Sequence, residues 1–378
     1  MDYYVESLRV HKLYQGKLET NTRMKVETRD DLSLAYSPGV AEPCREIAKD
    51  KSKVYDYTLK GRTVAVISDG SAVLGLGNIG PEAGLPVMEG KCVLFKEFAG
   101  LDAFPIVLDV HDTEGIIATI KAIAPTFGGI NLEDIASPKC FEIEQRLKAE
   151  LDIPVMHDDQ HGTAIVALAA LINSLAVVGK NKEDIKVVLS GPGAAGTATI
   201  KLFHLYGVKH IIACDSHGML SKNRTDLDES KRALLAFTNL ENRDGTMQDA
   251  LVWADVFIGL STPSIMDRHD VATMNRDAII FAMANPTPEI MPDEAKAGWA
   301  AIVGTGRSDM PNQINNVLAF PGIFKWVLKA GKKRITDEMK LKAAKALASA
   351  VVHPTADMVI PNALDKSVVD IVAQAMMD

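Results

Sequence analysis

Residues 191–196 read Gly191-Pro192-Gly193-Ala194-Ala195-Gly196, and this stretch decides the fold because it joins a predicted strand to a predicted helix. The strand is the apolar run 185–189, and the helix spans residues 194–206. Glycines at such a junction let the first amides of the helix approach a pyrophosphate group. Asp215 follows 19 residues after this stretch, close to the spacing of about 20 expected for an acid that bonds ribose hydroxyls. The stretch therefore predicts a doubly wound, Rossmann-type sheet with residues 191–196 and Asp215 as dinucleotide contacts.

The choice between NAD and NADP depends on the residues around Asp215. A carboxylate at this position repels a 2′-phosphate, which favours NAD. Lys222 and Arg224 follow shortly afterwards, and their positive charges weaken that preference. Ser216 and His217 can also tolerate a phosphate. We expect NAD as the cofactor, with NADP possible.

Further predicted strands continue the sheet beyond the glycine stretch. They are the apolar runs 210–214, 256–258, 279–283 and 301–303. In an open parallel sheet, ligands bind at the carboxyl ends of the strands, where the connecting loops place Asn285, Asn315 and Asn316. Asn-Pro and Asn-Asn pairs are also common turn formers, so their role is open at this point. We treat these asparagines as candidate contacts to the substrate and the nicotinamide.

A second match to the same glycine pattern, residues 75–80, lies in the first half of the chain. Pro81, Gly84 and Pro86 follow it directly and are expected to break the helix that a dinucleotide site needs. We therefore expect these glycines to bring backbone close to a ligand or to another strand. Lys91 follows, before the strand-like run 92–95, where a lysine is ordinarily a solvated surface charge.

The length and the pattern together predict two α/β domains. Residues 1–160 are expected to form an N-terminal α/β catalytic and substrate domain, and residues 161–378 the Rossmann-type NAD(P)-binding domain. Helices from about residue 336 onward are expected to pack back over the domains. The N-terminal residues 1–30 read as a solvated helical start that can pack against a second subunit.

The composition restricts the possible partners and the compartment. A net charge of −8 offers no basic field for nucleic acid or an anionic membrane. Residues 1–6 lack the basic start and apolar run of an export signal, and the apolar run 164–178 is too short to span a bilayer of about 30 Å. The four cysteines are widely spaced, which favours neither a zinc site nor a disulfide framework. We expect a cytoplasmic protein.

Two acidic clusters lie in the first half of the chain, Glu133-Asp134 and His157-Asp158-Asp159. The second cluster stands between a short apolar strand, residues 153–156, and the buried helix 164–178, so its carboxylates need donors or a cation. Oxygen ligands indicate Mg²⁺ or Mn²⁺ rather than zinc. His157 and His161 would admit a softer metal if they were ligands, but we expect them to orient carboxylates or cap the helix.

Taken together, these motifs resemble the malic enzymes, in particular their short bacterial form. The resemblance rests on Ala35-Tyr36-Ser37-Pro38-Gly39, Leu74-Gly75-Leu76-Gly77-Asn78-Ile79-Gly80, Glu89-Gly90-Lys91, Leu132-Glu133-Asp134, His157-Asp158-Asp159-Gln160-His161-Gly162-Thr163, Ala284-Asn285-Pro286-Thr287 and Asn315-Asn316-Val317. Separated motifs in the right order over nearly the whole chain are far more specific than any one of them alone.

The resemblance implies oxidative decarboxylation of L-malate to pyruvate and CO₂ with reduction of NAD(P), in a homodimer or larger homo-oligomer. By the family's pattern, Mg²⁺ or Mn²⁺ is held by Glu133, Asp134 and Asp159. Lys91 and Tyr36 are the catalytic base and acid, and both also contact the substrate. Asn285, Asn315 and Asn316 are the implied contacts to malate and the nicotinamide. Asp158 is expected to orient Lys91.

One departure from the longer malic enzymes concerns the substrate. They carry an arginine that clamps a malate carboxylate where this chain has Ser71-Ala72-Val73. Three rival functions also remain: a malolactic-type enzyme that retains NADH and releases lactate, a catalytically silent dinucleotide-binding regulator, and a plain malate dehydrogenase that forms oxaloacetate.

Overall fold

The computed structural model describes residues 2–376, in which ten strands form two sheets flanked by helices. Residue 1 of the predicted first domain and residues 377–378 of the predicted second domain lie outside the described residues. The strands are β1 (Thr63–Ser68), β2 (Asp102–Val107), β3 (Gly129–Leu132), β4 (Val155–His157), β5 (Lys186–Ser190), β6 (His210–Asp215), β7 (Gly218–Met219), β8 (Val256–Gly259), β9 (Ala278–Ala282) and β10 (Ala300–Thr305).

The α-helices flank these two sheets. They are α1 (Tyr3–Tyr14), α2 (Arg29–Ala35), α3 (Ala41–Lys49), α4 (Val54–Tyr57), α5 (Pro81–Leu94), α6 (Thr113–Ile123), α7 (Lys139–Glu150), α8 (Asp158–Val178), α9 (Ala194–Tyr206), α10 (Glu229–Leu234), α11 (Met247–Leu251), α12 (Arg268–Ala272), α13 (Pro292–Ala297), α14 (Phe320–Lys329), α15 (Asp337–Ser349) and α16 (Ser367–Ala375).

The first sheet has the strand order β2-β1-β3-β4, and all of its strand pairs are parallel. Strand β1 is buried at every position, as expected for a β-branched run in a sheet covered on both faces. Its residues 64 and 66 belong to the apolar core that contains α5 and α8, whereas residues 65 and 67 pack with α6 and α7. Because all strands of the first sheet are parallel, their carboxyl ends lie at the same edge of that sheet.

The second sheet has the order β10-β9-β8-β5-β6-β7, and only the short β7 pairs antiparallel. Strand β5 pairs with β6 on one side and β8 on the other, so the connections leave it in opposite directions. This is the topological switch point at which doubly wound sheets bind ligands. The predicted fold class, an N-terminal α/β part followed by a Rossmann-type sheet, is confirmed. The boundary after residue 160 stays a prediction and falls within α8.

Helix α8 is the central helix, because it packs on β4, α9 and α15. It begins at Asp158, so it is longer than the run 164–178 that the sequence indicated. The sequence analysis expected an apolar run too short to span a bilayer, but by length and composition alone the 21 residues of this helix are enough to cross a membrane. Within the protein, 67% of its most apolar stretch is buried. The acids Asp158 and Asp159 form its first turn rather than a loop before it.

The segment after the first glycine pattern differs from the sequence-based expectation. Helix α5 starts at Pro81 and continues through Gly84 and Pro86, so these residues do not break it, and residues 92–94 are helical rather than a strand. Proline at the first position of a helix is well tolerated, because the N–H that it lacks would have no partner there. Buried contacts of α5 with β1 and β2 then outweigh the cost of Pro86.

The expected close approach of the first glycine pattern is present. A Cβ on Gly75 would lie 2.1 Å from the carbonyl oxygen of Asn285, and a Cβ on Gly70 would lie 2.1 Å from the carbonyl oxygen of Gly80. Gly70 also has a positive φ of 69°, which favours glycine. These glycines therefore let the loop after β1 pack against backbone, including the loop after β9.

The N-terminal helices lie on the surface. None of the described side chains of α1, α2, α3 or α4 is buried. Large apolar side chains are strongly exposed there, including Tyr4 (75%), Leu8 (76%) and Leu34 (68%). Lys17, which follows α1, connects the N-terminal helices to α5, since its Nζ donates to the carbonyl of Pro86 at 2.7 Å.

Candidate functional site

The acidic clusters meet at the carboxyl edge of the first sheet. Glu133 and Asp134 directly follow β3, and Asp158 and Asp159 directly follow β4. Because β3 and β4 are parallel neighbours, their carboxyl ends are adjacent. Ligand oxygens of Glu133, Asp134 and Asp159 lie within 4.8 Å of one another. The structure thus brings together the three residues that the sequence predicted as metal ligands.

The backbone of Asp134 helps to hold the three acids together. Asp134 has a positive φ of 53°, an uncommon conformation for a residue with a side chain. Its N–H donates to Asp159 Oδ2 at 2.7 Å, which ties the loop after β3 to the start of α8. A strained residue at a cluster of this kind is typical of functional sites.

Lys91 lies inside the cluster rather than on the surface. Its Nζ is 2.7 Å from Asp158 Oδ2 and 2.8 Å from Glu133 Oε1, and the lysine is only 7% exposed. The Phe320 ring of α14 covers it, with the ring centroid 4.4 Å from Nζ. The predicted contact between Asp158 and Lys91 is therefore present. Burial opposes protonation of Lys91, but the charges of Asp158, Glu133 and Asp159 outweigh burial and raise its pKa.

The cluster contains more negative than positive charge. Burial raises the pKa of Glu133, and mutual repulsion with Asp159 adds to this although Lys91 opposes it. Burial likewise raises the pKa values of Asp158 and Asp159. Asp158 Oδ1 is buried and has no hydrogen-bond partner within residues 2–376. A dication fits this donor set, because it would offset clustered carboxylates that one lysine leaves uncompensated.

Two further residues that the sequence analysis missed hold the cluster in place. Asn131 Nδ2 donates to Glu133 Oε2 at 2.8 Å, so both oxygens of Glu133 are engaged. Glu144 of α7 accepts the backbone N–H of His157 and lies 2.9 Å from His161 Nε2. Burial lowers the pKa of His161 to about 4, although the neighbouring Glu144 carboxylate opposes this shift. His161 therefore contacts a carboxylate, which is the role that the sequence analysis expected for it.

The glycine turn after β5 has the geometry of a pyrophosphate cradle. A Cβ on Gly191 would lie 2.3 Å from the carbonyl oxygen of Leu260, and a Cβ on Gly196 would lie 2.2 Å from that of Gly191. Gly193, in contrast, has only Ser137 Oγ near its Cβ position, at 3.8 Å. The outer glycines are required for packing, and the middle one leaves space at the N-terminus of α9 for a ligand.

Asp215 lies at the end of β6, as predicted, but its carboxylate is already paired. Arg224 donates to both oxygens, at 2.7 and 3.1 Å, and Lys231 Nζ donates to Oδ2 at 2.7 Å. Partial burial would raise the pKa of Asp215, but these hydrogen bonds lower it well below its ordinary value. The expected preference for NAD already allowed for the charges of Lys222 and Arg224, and the structure pairs Asp215 with Arg224 and with Lys231, which the sequence analysis did not consider.

The candidate asparagines occupy three different surroundings. Asn285 is exposed beside the first glycine loop, and a Cβ on Gly306 would lie 2.7 Å from its Nδ2. Asn315 uses its side chain to accept the N–H of Val317 at 2.9 Å. Asn316 lies next to the acidic cluster, since a Cβ on Gly162 would lie 3.0 Å from its Cβ and 2.0 Å from Asp158 Oδ1.

Glu289 fixes the loops after β8 and β9, and the sequence analysis did not single it out. It is fully buried and accepts the backbone N–H groups of Ser261 and Ala284 at 2.9 and 3.0 Å. Burial raises its pKa, although these hydrogen bonds oppose the shift. Glu289 thereby positions the backbone directly before Asn285.

Tyr36 is the predicted site residue that the single chain does not bring to the cluster. It directly follows α2 and is 71% exposed, and its backbone N–H donates to Leu32 while its carbonyl accepts from Val40. Within residues 2–376 it makes no hydrogen bond or ring contact with Lys91 or the acids.

Comparisons with known proteins agree with this geometry. Residues 15–116 and 111–148 match the family model described as malic enzyme, N-terminal domain, and residues 160–375 match malic enzyme, NAD binding domain. The chain is 56% identical over 374 residues to a bifunctional malic/malolactic enzyme of Bacillus subtilis, covering 98% of this chain and 91% of the relative. It is 51% identical over 337 residues to an NADP-dependent malic enzyme of Haemophilus influenzae, covering 88% of this chain and 44% of that protein.

A solved structure extends the comparison to the fold. The crystal structure of an NAD-dependent malic enzyme from Thermotoga maritima superposes with a TM-score of 0.95 at 48% identity, covering 98% of each chain. The similarity thus includes both sheets and the loops that carry the site.

Proposed function

This chain belongs to the malic enzyme family and oxidatively decarboxylates malate with a nicotinamide cofactor, and we propose that it does so with Mg²⁺ or Mn²⁺ held by Glu133, Asp134 and Asp159. The observation that carries the proposal is the convergence of these acids around the buried Lys91. A silent dinucleotide-binding regulator would have no need of a lysine buried among carboxylates.

The chain's own residues move the protons of the reaction. When bound, the cation supplies positive charge that polarises the substrate's C2 oxygen and C1 carboxylate, and the nicotinamide accepts the hydride from C2. Asp158 Oδ2, 2.7 Å away, receives a proton from the Lys91 ammonium, and the neutral Nζ then takes the proton of the C2 hydroxyl. A cation held by Glu133 and Asp159 would offset the negative charges that raise the pKa of Lys91, and would thereby favour this loss of a proton. The C3–C4 bond then breaks and CO₂ leaves, and the Lys91 ammonium returns its proton to the C2 oxygen, so that the enol of pyruvate is formed.

Tyr36 is proposed as the acid that protonates C3 of this enol. The proposal requires a homodimer, in which a second copy of the chain covers the exposed apolar side chains of α1 and α2 and brings a Tyr36 hydroxyl to a Lys91. The support is the exposure of Tyr36 and of its apolar neighbours in these helices. A surface of this kind on an otherwise well-packed protein is typical of an interaction site.

Tyr36→Phe is expected to separate the two halves of the reaction. The variant lacks the proton donor for C3, so pyruvate formation should slow by about a hundredfold. Hydride transfer should slow much less, because Lys91 and the acidic cluster are unchanged. Single-turnover measurements of reduced nicotinamide and of pyruvate test this, with Tyr14→Phe, an exposed tyrosine of α1, as the matched control. Equal slowing of both steps would argue against the acid role.

The remaining contacts complete the proposed site. Residues 191–196 bind the pyrophosphate, and Asn285, Asn315 and Asn316 surround the substrate and the nicotinamide. Of these asparagines, Asn316 has the strongest structural support, because it lies across Gly162 from Asp158. We propose that both NAD and NADP serve as cofactors, in a cytoplasmic enzyme whose four cysteines are free thiols.

A malolactic reaction is the second candidate function. It is favoured by one observation, that the Bacillus subtilis relative is a bifunctional malic/malolactic enzyme. The same site would form lactate if the reduced cofactor stayed bound and returned its hydride to pyruvate. The two outcomes differ in their products, because only the malic reaction releases reduced cofactor.

The experiment that tests the proposed function uses metal-free enzyme with L-malate. Mn²⁺ is titrated in separate series with NAD⁺ and NADP⁺, while reduced nicotinamide, CO₂, pyruvate and lactate are measured. We expect no turnover without the cation and equimolar reduced cofactor, CO₂ and pyruvate with it. Turnover in the presence of excess chelator would contradict the metal proposal. Lactate without reduced cofactor would assign the malolactic reaction instead, and oxaloacetate without CO₂ would assign a plain malate dehydrogenase.

A further inference from the structure

A second group of buried charges adjoins the acidic cluster, and the proposed mechanism does not use it. It joins three helices, because Glu144 and Lys148 come from α7, His161 from α8 and Lys340 from α15. Glu144 is 6% exposed and Lys340 is 5% exposed, so both charges are largely shielded from water. Buried charges of this kind need specific partners, and their partners here lead to the start of α8.

Glu144 holds the first residues of α8 in place. Its Oε1 accepts the backbone N–H of His157 at 2.9 Å, and its Oε2 lies 2.9 Å from His161 Nε2. His157 is the N-cap of α8 and makes no capping hydrogen bond with its own side chain. In a capping box, a glutamate of the helix itself accepts this same N–H group, whereas here Glu144 accepts it from a neighbouring helix. Because Asp158 and Asp159 follow directly, Glu144 helps to fix the position of both acids.

Two ammonium groups keep Glu144 in its charged form. Lys148 Nζ lies 2.7 Å from Glu144 Oε1, and Lys340 Nζ lies 3.5 Å from His161 Nε2, the ring nitrogen that also contacts Glu144. Burial would raise the pKa of Glu144, but His161, Lys148 and Lys340 together hold that pKa well below its ordinary value. Since a carboxylate accepts stronger hydrogen bonds than a neutral acid does, these charges strengthen the hold of Glu144 on α8.

Lys340 reaches this place from a distant part of the chain. It lies on the face of α15 that packs against α8, in helical register with the buried Ala343, Ala344 and Leu347. An ammonium group on such a face costs free energy that an apolar residue would avoid. Its Nζ donates to the exposed Asp337 at 2.8 Å, so packing of α15 alone does not explain the charge.

We infer that Lys340 of α15 is a positioning residue that sets the affinity of the metal site for its cation. Its ammonium group stabilises the Glu144 carboxylate, which fixes the start of α8 and thereby the carboxylate of Asp159. Lys340 itself contacts neither the substrate nor the cation. The inference rests on the proposed function, because it requires Asp159 to be a ligand of the cation.

The test measures binding of Mn²⁺ to the full-length, metal-free protein by titration calorimetry, without substrate. Lys340→Met should raise the Kd for Mn²⁺ about tenfold, since residues that support metal ligands contribute about 10- to 100-fold to affinity. Lys340→Arg, which keeps the charge, should return the Kd close to the wild-type value. Lys345→Met, an equal charge change at an exposed position of α15, is the matched control.

A double-mutant cycle tests whether Lys340 acts through Glu144. Glu144→Gln keeps an oxygen that can accept the N–H of His157 but loses the charge, so it should also raise the Kd for Mn²⁺ about tenfold. If both residues act on α8 as one unit, the double variant should bind Mn²⁺ hardly more weakly than either single variant does. Glu142→Gln, at an exposed position of α7, is the matched control.

The possible outcomes are distinguishable. An unchanged Kd in Lys340→Met, an equal change in Lys345→Met, or additive effects in the double variant would each overturn the role of Lys340. Failure of the wild type to bind Mn²⁺ would instead overturn the proposed function. Circular dichroism and the affinity for NAD⁺ report whether each variant is folded. If Lys340→Met does not fold, an unchanged Kd in Glu144→Gln overturns the inference.

Discussion

Lys91→Ala is expected to abolish malate oxidation, with kcat lowered by about a thousandfold or more. A positioned general base contributes about 10² to 10⁴ in rate, and the ammonium also holds Glu133 and Asp158 in place. The measurement is steady-state turnover with saturating Mn²⁺ and malate, combined with calorimetric titration of NAD⁺. Affinity for NAD⁺ should stay near the wild-type value, because residues 191–196, which are expected to bind the pyrophosphate, follow β5 of the second sheet, whereas Lys91 lies beside the first sheet.

Loss of stability is the competing explanation for inactivity of this variant. Removal of one partner from a buried ion pair costs about 3 to 5 kcal/mol, so the free energy of unfolding must be measured as well. Lys96→Ala is the matched control, since Lys96 is exposed and pairs with Asp102 just beyond α5. Turnover retained in folded Lys91→Ala would reject Lys91 as the base.

Asp159→Asn is expected to weaken the cation site while preserving the fold. An asparagine oxygen can still accept the N–H of Asp134, which Asp159 Oδ2 accepts at 2.7 Å, so the substitution removes mainly the charge. Loss of a ligating carboxylate should lower affinity for Mn²⁺ by about a hundredfold or more, since even residues that only support a ligand cost about 10- to 100-fold. The measurement is the Mn²⁺ dependence of turnover and direct Mn²⁺ binding without substrate.

Asp152→Asn provides the control for this second prediction. Asp152 lies shortly before β4 and is 85% exposed, so it loses the same charge outside the cluster. If Asp159→Asn binds Mn²⁺ as tightly as the wild type does, the acidic cluster is not a cation site. This result would also contradict the proposal that Glu133 and Asp134 are ligands of the cation.

Much of the site could be predicted because local sequence rules determined it. The glycine stretch 191–196 lies between β5 and α9 as predicted, since a turn that tight admits few alternatives. The acids after β3 and β4 meet because parallel neighbours end at the same edge. Local rules failed at α5, where Pro86 and Gly84 argued against a helix and burial against the first sheet overrode them.

The sequence by itself determined the alternation of strands and helices in the second sheet, the cofactor turn and the two acidic clusters, because these depend on residues close together in the chain. Only the tertiary structure decided that Lys91 lies between Glu133 and Asp158, that Glu289 and Glu144 hold the loops, and that Lys231 pairs with Asp215. Their partners are between 5 and 67 residues away in sequence. A charge acquires its function from what surrounds it after folding, and spacing along the chain does not specify those surroundings.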